Sequence, residues 1–190
     1  SCQMLPGEGQ ELVEIDPLVM KVAQDPQFFR FLPECAKGAK VTIGDGRLVV
    51  EDAPDRHFDH LIIDAYSSDS VPVHMMTAEA IGTFMSKVKD GGMLVMHVTN
   101  RHMGLKGVVS ANAEKLGLHM VAGTFVPENN AETVNMATRS IVAVLVRDQK
   151  DFGALLKDNR WKPVSSEGLT PWTDGYSNVL QAMGRHYFKG

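Results

Sequence analysis

The 190-residue sequence has little of several features that mark specialised classes of protein. It has only two cysteines, Cys2 and Cys35, and their spacing fits neither a metal-ligand motif nor a disulfide framework. A reducing, cytoplasmic compartment is therefore the simpler expectation. No apolar run approaches the roughly 18 residues that a membrane span needs, so we expect no membrane contact by this chain itself.

The sequence also lacks an excess of positive charge. It has 19 lysines and arginines and 23 aspartates and glutamates, which give a net charge of -4. The absence of a broad basic surface argues against nucleic acid as the main partner and leaves a small molecule, cationic or neutral, as the better ligand. The length fits one domain with a single sizeable core.

What the sequence does have is a regular alternation of strand and helix patterns. Helix patterns begin at Pro17, Ala78 and Gly107. Strand patterns occupy residues 11–15, 39–43, 61–63, 93–98, 119–126 and 140–146. The alternation predicts an α/β fold with a doubly wound, mostly parallel sheet whose last strand can be antiparallel. We expect the phenylalanines of residues 24–38 to pack on this sheet.

Acidic residues stand at the carboxyl ends of three predicted strands, where open α/β sheets bind ligands. Glu14 could accept hydrogen bonds from both hydroxyls of a ribose. Asp45 lies between Gly44 and Gly46, which would let the backbone approach a flat ligand while the carboxylate accepts from an exocyclic amine. Asp64 directly follows an apolar strand. The alternatives are a solvated acid at Glu14, a β-turn at Asp45 and a helix N-cap or turn at Asp64.

Two further positions have both a functional and a structural interpretation. His97 ends the strand at 93–98, where it either faces a ligand or packs within the sheet. The tail contains Trp172 and Asp174 in a cluster of aromatic and acidic groups. It could supply a substrate lid or a clasp on the core.

A glycine-rich turn is missing. In nucleotide-binding α/β folds such a turn lies about 20 residues before the ribose-binding acid, but only 13 residues precede Glu14. We therefore expect a single domain over residues 1–190 that lacks its first strand and glycine loop, with a C-terminal helix and tail in residues 151–190 packing on it. The missing strand would be central, so the sheet would need rearrangement or a donated strand.

Four motifs, taken in order and spacing, resemble the spermidine synthase family over roughly residues 11–147. They are VEIDP at 13–17, IGDGR at 43–47, FDHLIIDAYSSD at 58–69 and DGGMLVMHVTNR at 90–101. The resemblance implies a Rossmann-like methyltransferase fold. It is closest to bacterial spermidine-synthase-like domains that are often fused behind a transporter-like region, which would make this chain the cytoplasmic part of a membrane-anchored parent.

The resemblance also implies roles for individual residues. Glu14 would bind the ribose hydroxyls and Asp45 the adenine amine of decarboxylated S-adenosylmethionine, with Gly44 and Gly46 beside the cofactor. Asp64 and Asp69 would be the catalytic acids. The substrate-binding candidates are Tyr66, Ser67, His97, Trp172 and Asp174. No metal is implied, and a homodimer is possible because spermidine synthases are commonly dimers.

The sequence departs from the family in the catalytic loop. Spermidine synthases have a second catalytic Asp three residues after the first, in a D-x-x-D-P pattern; here that position is Ser67, and Asp69 follows at five residues. The leading hypothesis is aminopropyl transfer to an amine acceptor, because an acid can hold the cationic amine and take its proton. The alternatives are an S-adenosylmethionine-dependent methyltransferase and a non-catalytic domain that keeps the fold.

Overall fold

The computed structural model describes residues 9–65, 72–100, 102–126, 139–166 and 168–188. The chain divides into two compact units, Ser1–Ala53 and Pro54–Gly190, and each is described by itself. That the chain forms a single, truncated domain stays a prediction. Within the described ranges, no helix has the length and apolar character to cross a membrane.

The first unit is built on two short parallel strands. Strand β1 (Glu11–Glu14) pairs in register with β2 (Lys40–Ile43). Helix α1 (Pro17–Gln24) follows β1, with proline at its first turn and the Asp16 carboxylate accepting a hydrogen bond from the Leu18 backbone N–H. The strand, cap and helix all lie where the sequence predicts them, because a capping Asp before Pro favours a helix start.

The predicted packing of the phenylalanines is wrong. Phe28, Phe29 and Phe31 are 68%, 54% and 56% exposed. The sheet of this unit has only two strands of four residues each, which offer too little surface to cover three aromatic rings.

The expectation of reduced cysteines is also wrong. Cys35 is disulfide-bonded, and no cysteine among the described residues is free. Spacing in the sequence does not report which sulfurs meet in space, so the lack of a recognisable framework does not exclude a disulfide. The cysteine count therefore gives no support for a reducing compartment.

The second unit contains a five-stranded sheet. Its strands are β3 (Phe58–Ile63), β4 (Val88–His97), β5 (His119–Phe125), β6 (Ser140–Val146) and β7 (Trp161–Pro163), in the order β3-β4-β6-β5-β7. Strand β3 pairs parallel with β4, whereas β6 runs antiparallel to both β4 and β5. The α/β class and the antiparallel last long strand are confirmed. The described pairing is less parallel than predicted because β6 inserts between β4 and β5.

Buried apolar residues cover both faces of the inner strands of this sheet, whereas Ile62 on the edge strand β3 is 67% exposed. Helices α3 (Ala78–Lys87) and α4 (Leu105–Lys115) contact the sheet, and Leu94 and Met96 of β4 are fully buried. The alternate residues of β4 join a second apolar cluster around Phe152. That cluster comprises Val121, Val144, Val146 and Phe152, with Met93, Val95, Leu155 and Trp161 packed against it. A sheet covered on both faces explains the near-continuous apolar strands.

Arg147, directly after β6, holds the junction between α3 and β4. Its guanidinium donates hydrogen bonds to the carbonyl oxygens of Met85, of Val88 at 2.9 Å and of Lys89 at 3.1 Å. A cation at a helix C-terminus satisfies carbonyl groups that the helix itself leaves unpaired. The amino end of β4 is thereby tied to β6.

In the loop before β7, an ion pair between Asp158 and Arg160 leads to a prediction about the pKa of Asp158 and about stability at low pH. The Arg160 side chain binds both carboxylate oxygens of Asp158 and lowers the pKa of that carboxyl from its ordinary value of 3.8 to about 2. A depressed folded pKa contributes stability that is present above the unfolded value and is lost as the pH falls towards 2. In Arg160→Gln we expect the Asp158 pKa to rise towards 3.8, measured by NMR titration of the carboxyl carbon. Arg30→Gln should leave it unchanged.

Candidate functional site

In the first unit, the structure brings Glu14 and Asp45 to the same edge. Glu14 lies opposite Ile43 in the parallel pair, and the Gly44 backbone N–H donates to the Glu14 carbonyl oxygen at 2.9 Å. Asp45 therefore follows directly at the carboxyl ends of the two neighbouring strands. Both acids are half-buried. The geometry joins two candidates that the sequence could place only separately.

Each of these acids also has a local structural contact. Glu14 Oε1 accepts a hydrogen bond from the Asp16 backbone N–H at 2.9 Å. Asp45 Oδ1 accepts from the backbone N–H groups of Arg47 at 2.9 Å and Leu48 at 3.2 Å, which makes it the N-cap of a helix. A carboxylate offers about four acceptor positions, so a local backbone contact does not by itself prevent ligand binding.

The helix that Asp45 caps was missed in the sequence. Helix α2 (Gly46–Glu51) begins where the sequence is compatible with either a β-turn or a ligand-binding loop. The signal was present as an N-capping Asp, but the helix is only six residues long and contains β-branched residues that favour strands. At Gly44 an added Cβ would come within 3.1 Å of a Val49 methyl carbon, so the close approach of the helix favours glycine there.

In the second unit, Asp64 and His97 form a direct pair. Ile63 lies opposite Met96 in the parallel register of β3 and β4, so the next residues, Asp64 and His97, meet at the carboxyl edge. Asp64 Oδ1 lies 2.8 Å from His97 Nδ1. The Asp64 side chain is 65% exposed and that of His97 is 31% exposed. An ionisable pair at this edge has the position and access of a functional site.

Strand β6 contributes a third polar group. Ser140 Oγ lies 3.4 Å from His97 Nε2, so the three side chains form an Asp–His–Ser series. Ser140 could not be predicted as a site residue from the sequence, because it is the first residue of a strand 43 positions after His97. Only the insertion of β6 beside β4 brings the two together.

The residues after His97 hold the end of the strand in place. The Thr99 hydroxyl oxygen accepts from the Ile141 backbone N–H at 2.7 Å. Asn100 Oδ1 accepts from the backbone N–H groups of His102 and Met103, each at 2.8 Å. Side-chain bonds of this kind fix a turn locally, so they hold the backbone that leads from His97 towards α4.

The tail residues make the contacts of a clasp. Trp172 is 1% exposed and its carbonyl oxygen accepts from the Ala78 N–H at the start of α3. Asp174 Oδ1 accepts from the Thr77 hydroxyl at 2.8 Å, and its backbone N–H donates to Glu79 at 3.1 Å. A role in substrate binding for Trp172 or Asp174 stays a prediction.

Three predicted site residues, Tyr66, Ser67 and Asp69, lie outside the described residues. In the ranges that the structure describes, no group of three or more His, Cys, Asp or Glu side chains is arranged to hold a metal ion. The candidate residues that the structure describes form two separate pairs, Glu14 with Asp45 in the first unit and Asp64 with His97 in the second.

Two curated proteins are similar to parts of this chain. A polyamine aminopropyltransferase of Vibrio vulnificus (strain CMCP6) is 28% identical over 95 residues, which are 49% of this chain and 30% of that protein. A polyamine aminopropyltransferase of Korarchaeum cryptofilum (strain OPF8) is 28% identical over 130 residues, which are 64% of this chain and 39% of that protein. The chain thus matches less than half the length of either relative. No known protein-family profile matches it.

Solved structures share the fold at low sequence identity. A probable spermidine synthase from Corynebacterium glutamicum ATCC 13032 has a TM-score of 0.57 at 14% identity, covering 89% of this chain and 64% of that one. Human methyltransferase-like protein 13, solved in complex with SAH, has a TM-score of 0.52 at 17% identity, covering 93% of this chain and 79% of that one.

The fold places the chain in the Rossmann-like class that S-adenosylmethionine-dependent methyltransferases and spermidine synthases share. Within that class the chain is spermidine-synthase-like, which confirms the resemblance of its motifs. The fusion to a transporter-like region and a homodimer stay predictions.

Proposed function

We propose that this chain belongs to an enzyme that transfers an aminopropyl group from decarboxylated S-adenosylmethionine to an amine acceptor. The observation that carries the proposal is the exposed Asp64 carboxylate at the carboxyl end of β3, paired with His97 at 2.8 Å. The similarity to two proteins named polyamine aminopropyltransferase supports it.

The proposed reaction requires a negatively charged side chain at such a position. The acceptor is a cation in water, and a protonated amine has no lone pair with which to attack. Once deprotonated, its nitrogen attacks the carbon next to the sulfonium, the C–N bond forms, and the C–S electron pair leaves on sulfur as a neutral thioether. Asp64 would attract the ammonium group and hold it in place, and positioning supplies much of the remaining rate enhancement.

Glu14 and Asp45 would bind the nucleoside. Neighbouring strands place them at one carboxyl edge of the first unit, where a carboxylate can accept from ribose hydroxyls and from an adenine amine. Their backbone contacts with Asp16, Arg47 and Leu48 would hold both carboxylates in fixed orientations before the ligand binds.

The second candidate is methyl transfer from S-adenosylmethionine itself. The similarity to methyltransferase-like protein 13 has a TM-score close to that of the spermidine synthase, so the fold does not separate the two reactions. Ser67 at the position of the second catalytic Asp favours this candidate or a non-catalytic domain.

The test is a comparison of the two sulfonium substrates. The protein is incubated with putrescine and either decarboxylated S-adenosylmethionine or S-adenosylmethionine. Release of methylthioadenosine from the decarboxylated substrate alone is the expected result. Release of S-adenosylhomocysteine alone would instead support a methyltransferase. If neither product is released and calorimetry detects no binding of methylthioadenosine, the results would support a non-catalytic domain.

A further inference from the structure

We propose that His97 is the group that takes the proton from the acceptor amine, with Asp64 as its positioning partner. This inference rests on the proposed aminopropyl transfer and assigns the proton transfer to a side chain for which the sequence suggested only substrate contact. It is carried by the arrangement of Asp64, His97 and Ser140 across three neighbouring strands.

The Asp64 contact determines which ring nitrogen can accept a proton. An ionised carboxylate only accepts hydrogen bonds, so Nδ1 at 2.8 Å from Asp64 Oδ1 must carry the hydrogen. In the neutral imidazole the lone pair is then on Nε2. The Ser140 hydroxyl at 3.4 Å is a long donor to Nε2, and a substrate N–H can replace it.

The contacts of the pair give its two side chains different roles: Asp64 attracts the ammonium group, and His97 accepts the proton. Asp64 Oδ1 is occupied by the imidazole, whereas none of the described residues donates a hydrogen bond to its other oxygen, Oδ2. Oδ2 can therefore attract the ammonium group electrostatically. Nε2 lies on the opposite side of a ring that is 31% exposed, at the edge where ligands of this fold bind.

The step balances without any further reactant. The acceptor ammonium gives one proton to His97 Nε2, and the resulting imidazolium keeps its Nδ1–H bond to the Asp64 carboxylate, which stabilises the new positive charge. The free amine then forms the C–N bond as the C–S bond breaks, and sulfur leaves as the thioether. The imidazolium returns its proton to water after the products leave.

The first test replaces His97 with glutamine, which can still donate a hydrogen bond to Asp64 but cannot take a proton. We expect kcat/KM for transfer to fall about 100- to 10,000-fold, the usual contribution of a positioned acid or base. Binding of methylthioadenosine, measured by calorimetry, should change less than about threefold, a factor worth under 1 kcal/mol. His60→Gln, an exposed histidine on β3, is the matched control and should keep wild-type activity.

A second variant separates proton transfer from a structural role. In His97→Ala, added imidazole should restore activity about tenfold or more, because a free imidazole can occupy the space and take the proton. Imidazole should not restore His97→Gln, where the side chain fills that space. A purely structural histidine would not be replaced in this way.

The outcomes separate this inference from the proposed function. If the wild-type protein transfers the aminopropyl group and His97→Gln retains a rate within about threefold, His97 is not the proton acceptor and the proposed function stands. If imidazole leaves His97→Ala unchanged while the variant stays folded, the inference also fails. If the wild-type protein transfers nothing, the proposed function fails and this inference fails with it.

Discussion

Replacing Asp64 with asparagine should reduce the rate of aminopropyl transfer by about 100- to 10,000-fold. The substitution keeps the size of the side chain but removes the charge that attracts the ammonium group. It also removes the carboxylate that holds the proton on His97 Nδ1, since an amide can donate to that nitrogen as well as accept from it. Steady-state kinetics with decarboxylated S-adenosylmethionine and putrescine would measure the effect.

Asp59→Asn is the matched control for that experiment. Asp59 lies on the same strand as the residues leading to Asp64, is exposed, and forms a surface ion pair with Lys89 at 2.9 Å. Exposed ion pairs of this kind contribute little to stability because water and salt screen them, so the control should keep both its fold and its activity. Full transfer activity in Asp64→Asn would contradict the proposed role of the Asp64–His97 pair.

The order of the elements was accessible from the sequence because it depends on local patterns. The apolar run of Ser140–Val146 predicted β6, and Asp16 before Pro17 predicted the start of α1. The sheet order was less accessible, because the insertion of β6 between β4 and β5 joins segments far apart in the chain. Pairing partners are set by packing and register, which a local pattern does not contain.

The candidate site, too, could be predicted only in part from the sequence. Asp64 and His97 could each be placed at the carboxyl end of a strand, but their contact depends on the register that sets Ile63 opposite Met96. A shift of one residue would move one of the two side chains to the opposite face. Ser140 carried no local signal at all. Sequence therefore predicted the components of the site, and the register of neighbouring strands assembled them.

The burial of Trp172 is a feature that the sequence of the tail does not predict. Its place in a polar tail rich in turn-forming residues was compatible with a substrate lid, yet the structure buries it almost completely against the start of α3. A tail packs according to the surface that is available to it, and no periodicity within the tail reports that surface. The clasp contacts of Asp174 with Thr77 and Glu79 follow from the same docking.

The largest loss of stability is expected from Gly92→Ala. Strand β4 runs from Val88 through Gly92, and the register of β3 and β4 shifts between Phe58 and His60. An added Cβ at Gly92 would lie 2.4 Å from the Asp59 carbonyl oxygen and 2.7 Å from a Val88 methyl carbon. We expect the free energy of unfolding to fall by about 3 kcal/mol, the upper range for overpacking.

That loss should be large because the neighbours cannot move away. The Asp59 carbonyl belongs to the backbone of β3, and Arg147 ties the Val88 and Lys89 carbonyls to the end of β6. Gly82→Ala is the matched control: Gly82 lies in α3, and the nearest atom to an added Cβ is a Leu116 methyl carbon at 3.8 Å. There alanine should add about 0.5–1 kcal/mol by favouring the helix. Urea unfolding of both variants measures the difference, and a Gly92→Ala protein within about 1 kcal/mol of wild type would show that β3 can shift to admit a methyl group.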